Sequence, residues 1–408
     1  MTPSFGPALA GVRILDLTRV LSGPYATLLL ADLGAEVWKI EHPRLGDETR
    51  GLPPHRGGES HYFMSINRNK ASIAVDLKDP RGRDVVLRLA EQADVVVENF
   101  RPGVAERLGV GYADVAALNP RAVYCSISAF GQDGPAAQRT AYDVAVQALG
   151  GLMSLTGEPG RPPVRAGVPI ADLAAGMLAD LGILAALLQR EWTRVGQYID
   201  ASMLDGMLSL LSYFAGRFLL TGEEVSAVGA GHPSAVPYGL YPTQDGQIVL
   251  ATLAEHFWPR LCEVLDLPEQ ARNPALDRNE GRVAHRALVE RMVCEALQKH
   301  TTAEWERRLL AADIPHAPVL SVGQALRQPQ VTARGLVQSM PHARLGGIEI
   351  VGSPIRMSGS AAVPAQPAPL LGEQTRIVLS EVLGMSDGEL DALESDGVLG
   401  SGEARATA

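Results

Sequence analysis

Lysine is scarce in this chain. Of the 36 basic residues among 408, only 4 are Lys and the remainder are Arg. Arg presents a fixed fork of donors that suits phosphate and carboxylate, so the composition allows a local anion site. The balance of 46 acidic against 36 basic residues, a net charge of −10, excludes a general nucleic-acid surface. Cysteine is rarer still. Cys125, Cys262 and Cys294 are odd in number, far apart and without CxxC spacing. That excludes a disulfide framework and a cysteine zinc site, and it fits reduced thiols in a cytoplasmic protein. Dinucleotide fingerprints are incomplete: Gly109-Val-Gly111-Tyr-Ala-Asp114 and Gly229-Ala-Gly231-His-Pro-Ser234 both lack the third Gly. With no Walker loop, GxSxG elbow or HExxH pair, metal, nicotinamide and serine-hydrolase mechanisms have no foothold. No basic n-region followed by an apolar h-region opens the chain, and Asp180, Asp205 and Arg217 interrupt its most apolar helices. No membrane-spanning segment is therefore expected.

What is there reads as globular. Apolar residues make up 46 % and charged residues 20 %, and the length calls for more than one core. Val12–Leu17, Ala35–Glu41, Ala71–Leu77, Asp94–Glu98 and Ala122–Ile127 read as strands, with helices at Pro24–Leu33 and Pro80–Gln92 between them. This alternation predicts an α/β fold with a doubly wound, mostly parallel sheet, whose ligands settle beyond the carboxyl ends of the strands. The loops Thr18–Gly23, Asn99–Gly103 and Ser128–Thr140 are the candidate walls of that site. Beyond a short strand at Gln197–Ala201 a single long helix is expected over Met203–Leu220, then a Gly- and Ser-rich linker and a smaller α+β unit with a hairpin at Tyr238–Thr252. The expected organisation is a large domain begun by residues 1–221, a small α+β domain over 222–330, and a return to the large domain over 331–408, ending in a polar, disordered tail.

The centre of the chain is Arg165-Ala-Gly-Val-Pro-Ile-Ala-Asp-Leu-Ala-Ala-Gly176. Pro169 suits the first turn of a helix, which places Asp172 in that turn. Orphan backbone N–H groups and the helix dipole there favour an ionised carboxylate near neutral pH. Small neighbours leave room for a bulky partner, so Asp172 can be read as a covalent nucleophile or as a helix-capping acid.

Several stretches together resemble the type III CoA-transferases, which include the formyl-CoA and carnitine CoA-transferases. They are Gly11-Val-Arg-Ile-Leu-Asp-Leu-Thr-Arg-Val-Leu-Ser-Gly-Pro24, Asp32-Leu-Gly-Ala-Glu-Val-Trp-Lys-Ile-Glu41, Gly46-Asp-Glu-Thr-Arg50, Asn67-Arg-Asn-Lys70, Val97-Glu-Asn-Phe-Arg-Pro-Gly103, Gly131-Gln-Asp-Gly-Pro135, the Gly167–Gly176 stretch and Pro369-Leu-Leu-Gly-Glu-Gln-Thr375. The resemblance implies a Rossmann-like large domain built from both chain ends, a small domain inserted after the long helix, and an interlocked homodimer. It implies that Asp172 is the nucleophile, and that Val20, His42, Asn67, Lys70, Asn99, Phe100 and Arg107 hold coenzyme A. His42 stands where the family has an arginine; Arg139 neighbours Thr140, which stands where the family has a lysine. No permanently bound cofactor is implied, only acyl-CoA and a carboxylic acid as substrates.

Such chemistry needs a carboxylate because the acyl group is first taken up as an aspartyl anhydride, and CoA is then held as an aspartyl–CoA thioester. The protein then has only to supply position and oxyanion stabilisation. Two alternatives stay open. An α-methylacyl-CoA racemase shares the fold but typically shows Gly-His-Asp where this chain has Ala141-Tyr142-Asp143; a non-catalytic CoA-binding protein would not need Asp172. Asn67–Lys70 and Ala230–Tyr238 resemble most the succinyl-CoA:dicarboxylate branch, such as glutarate or itaconate CoA-transferases. A dicarboxylate calls for a cation, and Arg19, Arg50 and His232, with Tyr142, form the expected substrate set; Arg68 and Arg165 are further cations within reach of that reading.

Overall fold

A computed structural model describes residues 5–400, and the last part of the expected tail, from 401, lies outside them. Six runs rich in Val, Ile and Leu build one parallel sheet. They are β1 (Arg13–Asp16), β2 (Glu36–Glu41), β3 (Lys70–Ala74), β4 (Val95–Glu98), β5 (Val123–Ser128) and β6 (Tyr198–Ser202). Ile14 sits opposite Val37 on one side and Val95 on the other. Ile14, Leu15, Val95, Val96 and Val97 are fully buried, as expected of parallel strands covered on both faces. The strand order is β3-β2-β1-β4-β5-β6. It reverses between β1 and β4, so the loops leaving these two strands part and open a crevice at their carboxyl ends.

Helices α1 (Ser22–Asp32), α2 (Pro80–Gln92), α3 (Asp143–Leu149) and α4 (Ile170–Thr193) belong to the same unit. α4 buries a run of small residues, Ala171, Ala174, Ala175, Gly176 and Ala179. A Cβ on Gly176 would lie 2.7 Å from the Ser22 carbonyl oxygen, so only glycine lets α1 begin this close to α4. Contrary to the sequence expectation, Asp180 does not keep α4 from being long and apolar enough to cross a membrane by length and composition. Half of its most apolar window is instead buried within the protein.

The chain divides into two units. The larger takes residues up to 151, 167–215 and from 332 onward; the smaller takes 152–166 and 216–331. The smaller unit therefore starts before residue 222, and it also claims 152–166, which the sequence pattern assigns to the large domain. There the Gly229 N–H donates to the Gly157 carbonyl at 2.9 Å, a long-range pairing that local pattern does not encode. The expected helix Met203–Leu220 is broken into α5 (Met203–Leu210) and α6 (Tyr213–Thr221), with Ser212 at φ 48° between them. In the smaller unit β7 (Tyr238–Pro242), β8 (Gln247–Ala251) and β9 (His316–Pro318) form an antiparallel sheet over Trp258, Leu261, Val293 and Trp305. The larger unit closes with the hairpin β10 (Val337–His342) and β11 (Gly346–Val351), and with a helix at Thr375–Leu383 whose Thr375 hydroxyl receives the Ala74 N–H at 3.0 Å.

Candidate active site

The loop leaving β1 is fixed from below. Thr18 donates both its N–H and its hydroxyl to Asp16 Oδ1, and Asp16 Oδ2 accepts from the Thr27 hydroxyl at 2.7 Å. Lys39 Nζ donates to the Thr18 carbonyl at 2.8 Å and pairs with Asp47 at 3.0 Å. Lys70 Nζ donates to the Pro24 carbonyl at 2.8 Å, to Asn67 Oδ1 at 2.9 Å, and pairs with Asp16 at 3.2 Å. Two of the four lysines in the chain thus hold the two ends of one loop. Burial alone would raise the Asp16 carboxyl; the ammonium groups of Lys70 and Lys39 outweigh it and hold it down to about 2. Burial pulls Lys70 down to about 8 despite Asp16. Held this way, the loop keeps Val20 at φ 64°, a left-handed backbone that costs a β-branched residue about 1–3 kcal/mol.

The loop leaving β4 clasps the first. Asn99 Oδ1 accepts from the Arg19 N–H at 2.8 Å while Asn99 Nδ2 donates to the Arg19 carbonyl at 2.7 Å. The Arg19 guanidinium lies 5.2 Å from the centre of the Phe100 ring. Between these loops and the end of β5 opens a cavity of about 430 Å³, whose wall includes Arg19, Val20, Asn99, Phe100, Arg101, Ser128, Arg139, Tyr142, Met203 and Asp172.

Asp172 occupies the first turn of α4, just after Pro169. One donor of that turn is already taken. Asp143, the buried first residue of α3, accepts the Ala171 N–H at 2.8 Å and the Gln147 side chain at 2.6 Å. Burial, reinforced by the Asp143 charge, pushes the Asp172 carboxyl up to about 7. The expectation of an ionised Asp172 near neutrality is corrected accordingly: its titration moves up into the neutral range, because desolvation outweighs the pull of the helix start.

The cavity gathers Asp172 with Val20, Asn99, Phe100, Arg139, Arg19 and Tyr142. It does not gather the others. Lys70 and Asn67 are buried beneath the β1 loop and bonded to each other, so against the expectation of a coenzyme A contact their side chains serve the loop and do not line the cavity. Arg50 is corrected too: it forks onto Glu41 with two contacts of 2.7 Å, donates to the Pro369 carbonyl and lies over Phe63. A short polar run looks the same in sequence whether its charge points outward or under the sheet. His42 Nδ1 accepts the backbone N–H groups of Arg44 and Leu45 at 3.2 and 3.3 Å, closing its own turn. Arg107 is exposed on the short helix Val104–Leu108, beside Gly103. His232 belongs to the smaller unit, where its Nδ1 accepts the Ser234 N–H at 3.1 Å. Arg68 forms a buried pair with Asp32.

Sequence reasoning missed the Asp143 brace and the Asp16–Lys39–Lys70 cradle. The signal for the second was present, since lysines this rare and set inside strands β2 and β3 are poor candidates for solvated charges. Among the described residues no group of three or more His, Cys, Asp or Glu is placed to hold a metal ion. The cations of the cavity, Arg19, Arg101 and Arg139, suit an anionic ligand.

From residue 9 to 375 the chain matches the model of CoA-transferase family III. It is 41 % identical over 392 residues to succinyl-CoA:glutarate CoA-transferase of Homo sapiens, covering 96 % of this chain and 90 % of that protein. It is 40 % identical over 366 residues to acetyl-CoA:oxalate CoA-transferase of Acetobacter aceti, with 89 % and 93 % covered. Among solved structures, a CAIB/BAIF family protein from Brucella suis matches with a TM-score of 0.84 and 33 % identity, over 92 % of this chain and 100 % of that one.

Proposed function

This chain belongs to CoA-transferase family III, and from that premise we propose that it moves coenzyme A from succinyl-CoA or a similar donor to a short dicarboxylic acid through Asp172. The carrying observation is a half-buried carboxylate in the first turn of α4, opening on a cavity walled by arginines, Asn99 and a strained loop. A carboxylate oxygen of Asp172 attacks the thioester carbonyl, the C–S bond breaks, and CoA leaves as thiolate. The thiolate then attacks the aspartyl carbonyl and expels the donor acid, which leaves an aspartyl–CoA thioester. The acceptor carboxylate attacks that thioester, and the displaced thiolate takes the acceptor's acyl group from the new anhydride and restores Asp172. One thioester is exchanged for another, so the exchange needs no ATP.

Glutarate and oxalate, the acids in the relatives' names, each carry two carboxylates. With Arg50 committed to Glu41, Arg19, Arg101 and Arg139 are the cavity cations suited to a distal carboxylate. The racemase alternative needs a second acid–base group at the α-carbon, and no histidine is among the residues lining the cavity. Two copies are expected to interlock, and the free thiols of Cys125, Cys262 and Cys294 suit a reducing, cytoplasmic setting.

Incubation with succinyl-CoA and hydroxylamine should convert Asp172 to a hydroxamate visible by mass spectrometry, and acetyl-CoA should do so far more slowly. Transfer activity retained in Asp172→Ala would refute the nucleophile; equal trapping rates with the two donors would refute the dicarboxylate preference.

A further inference from the structure

Ser128 ends β5 and lines the cavity that contains Asp172. It is only 7 % exposed, and its hydroxyl has no hydrogen-bond partner among the described residues. Two residues earlier, on the same face of the strand, the Ser126 hydroxyl is engaged by Glu98. One serine of the strand is therefore satisfied within the protein and the other is not. Burying an unpaired hydroxyl is unfavourable, so a group in this state at a cavity wall is a site awaiting a partner.

The surroundings define that partner. Ile127 and Ala129 flank Ser128 in sequence, and Met203 follows Ser202, its register partner on β6; all three line the cavity. A single neutral hydroxyl in an apolar stretch does not satisfy a phosphate or carboxylate, which demands charged or several donors. It does match one neutral carbonyl oxygen. We propose that the Ser128 hydroxyl donates a hydrogen bond to a carbonyl of the thioester-proximal arm of acyl-CoA and so positions the thioester against Asp172. This rests on the CoA-transfer reading above.

The test is Ser128→Ala in the full chain. Because the hydroxyl has no partner in the free protein, removing it should leave the melting temperature of the free protein unchanged or higher. The KM for acyl-CoA should rise about five- to fifty-fold, as for a bound carbonyl left unpaired. A similar factor should appear with an S-acyl-N-acetylcysteamine, which keeps the thioester and one amide but no nucleotide. Binding of 3′,5′-ADP should not change. A lower melting temperature of the free variant would show that the hydroxyl is bonded inside the protein, and would overturn the proposal. So would an unchanged KM, or a penalty seen with acyl-CoA but not with the cysteamine thioester. If the wild type itself transfers no CoA, it is the underlying reading that fails; if it does and the variant equals it, only the role of Ser128 fails.

Discussion

At the residue scale the decisive property of Asp172 is the height of its titration. Burial and Asp143 place it at about 7, and only the anion can attack a thioester. The kcat/KM for acyl-CoA should therefore rise with pH through about 7 and level off above it; an acid limb near the ordinary carboxylate value would contradict this. The same shift has a stability sign. A carboxyl raised in the folded state favours folding fully below its unfolded value of 3.8, and that contribution is lost as pH rises through about 7. Asp172→Asn should accordingly gain stability over wild type at pH 8 but not at pH 4, read from denaturation midpoints at the two pH values. Lys70 supplies the complementary case. Its removal leaves Asp16 buried with one fewer cation, so Lys70→Ala should cost about 3–5 kcal/mol in a urea titration rather than selectively raise the KM for acyl-CoA. A stable variant with a raised KM would return Lys70 to the ligand. The cavity residues legible in sequence were Arg19, Asn99 and Phe100, on loops at strand ends, and Asp172, in a helix start marked by Pro169. Those that stand elsewhere, Lys70, Asn67 and Arg50, are charged or polar groups folded inward. Lys70 meets Asp16 and the Pro24 carbonyl from distant chain, Asn67 and Arg50 meet Phe63, Lys70 and Glu41 nearby, and neither inward turn is marked by residue type.

At the scale of elements, the βαβ pattern was readable because each strand is a short apolar run punctuated by Gly, Pro or Asp, and most bounds shift by only a residue or two. The break at Ser212 was not readable, since neither Gly nor Pro marks it. Nor was the contact between the starts of α3 and α4, although it shapes the site most. Asp143 does two things to Asp172 from the same position: it holds the Ala171 N–H, and its charge makes ionisation of Asp172 harder. The two can be separated. Asp143→Asn keeps an acceptor for the N–H but removes the charge, so the acid limb of kcat/KM should move to lower pH while the limiting rate stays within a few-fold. Asp143→Ala removes both, and the limiting rate itself should fall. If the acid limb of Asp143→Asn stays where it is in the wild type, the charge of Asp143 has no part in tuning Asp172.

At the scale of the whole molecule, α4 shows two faces. One packs its small residues against α1; the other leaves Leu181 65 %, Leu188 61 % and Trp192 66 % exposed. These three lie four or seven residues apart, so they share one side of the helix. A stripe of large apolar side chains on one helix face exceeds the scattered single residues normal on a protein surface. Sequence periodicity cannot tell this stripe from a second core face, and a homodimer is an expectation that rests on the family resemblance alone. A second copy of the chain is the occupant we propose for it. Sedimentation equilibrium should then report the mass of two chains. Replacing Leu188 and Trp192 together by Glu would place two charges in that interface, and should yield monomer or aggregate with CoA transfer lost. A wild-type monomer, or an active and dimeric double variant, would show that this face of α4 is covered by something else.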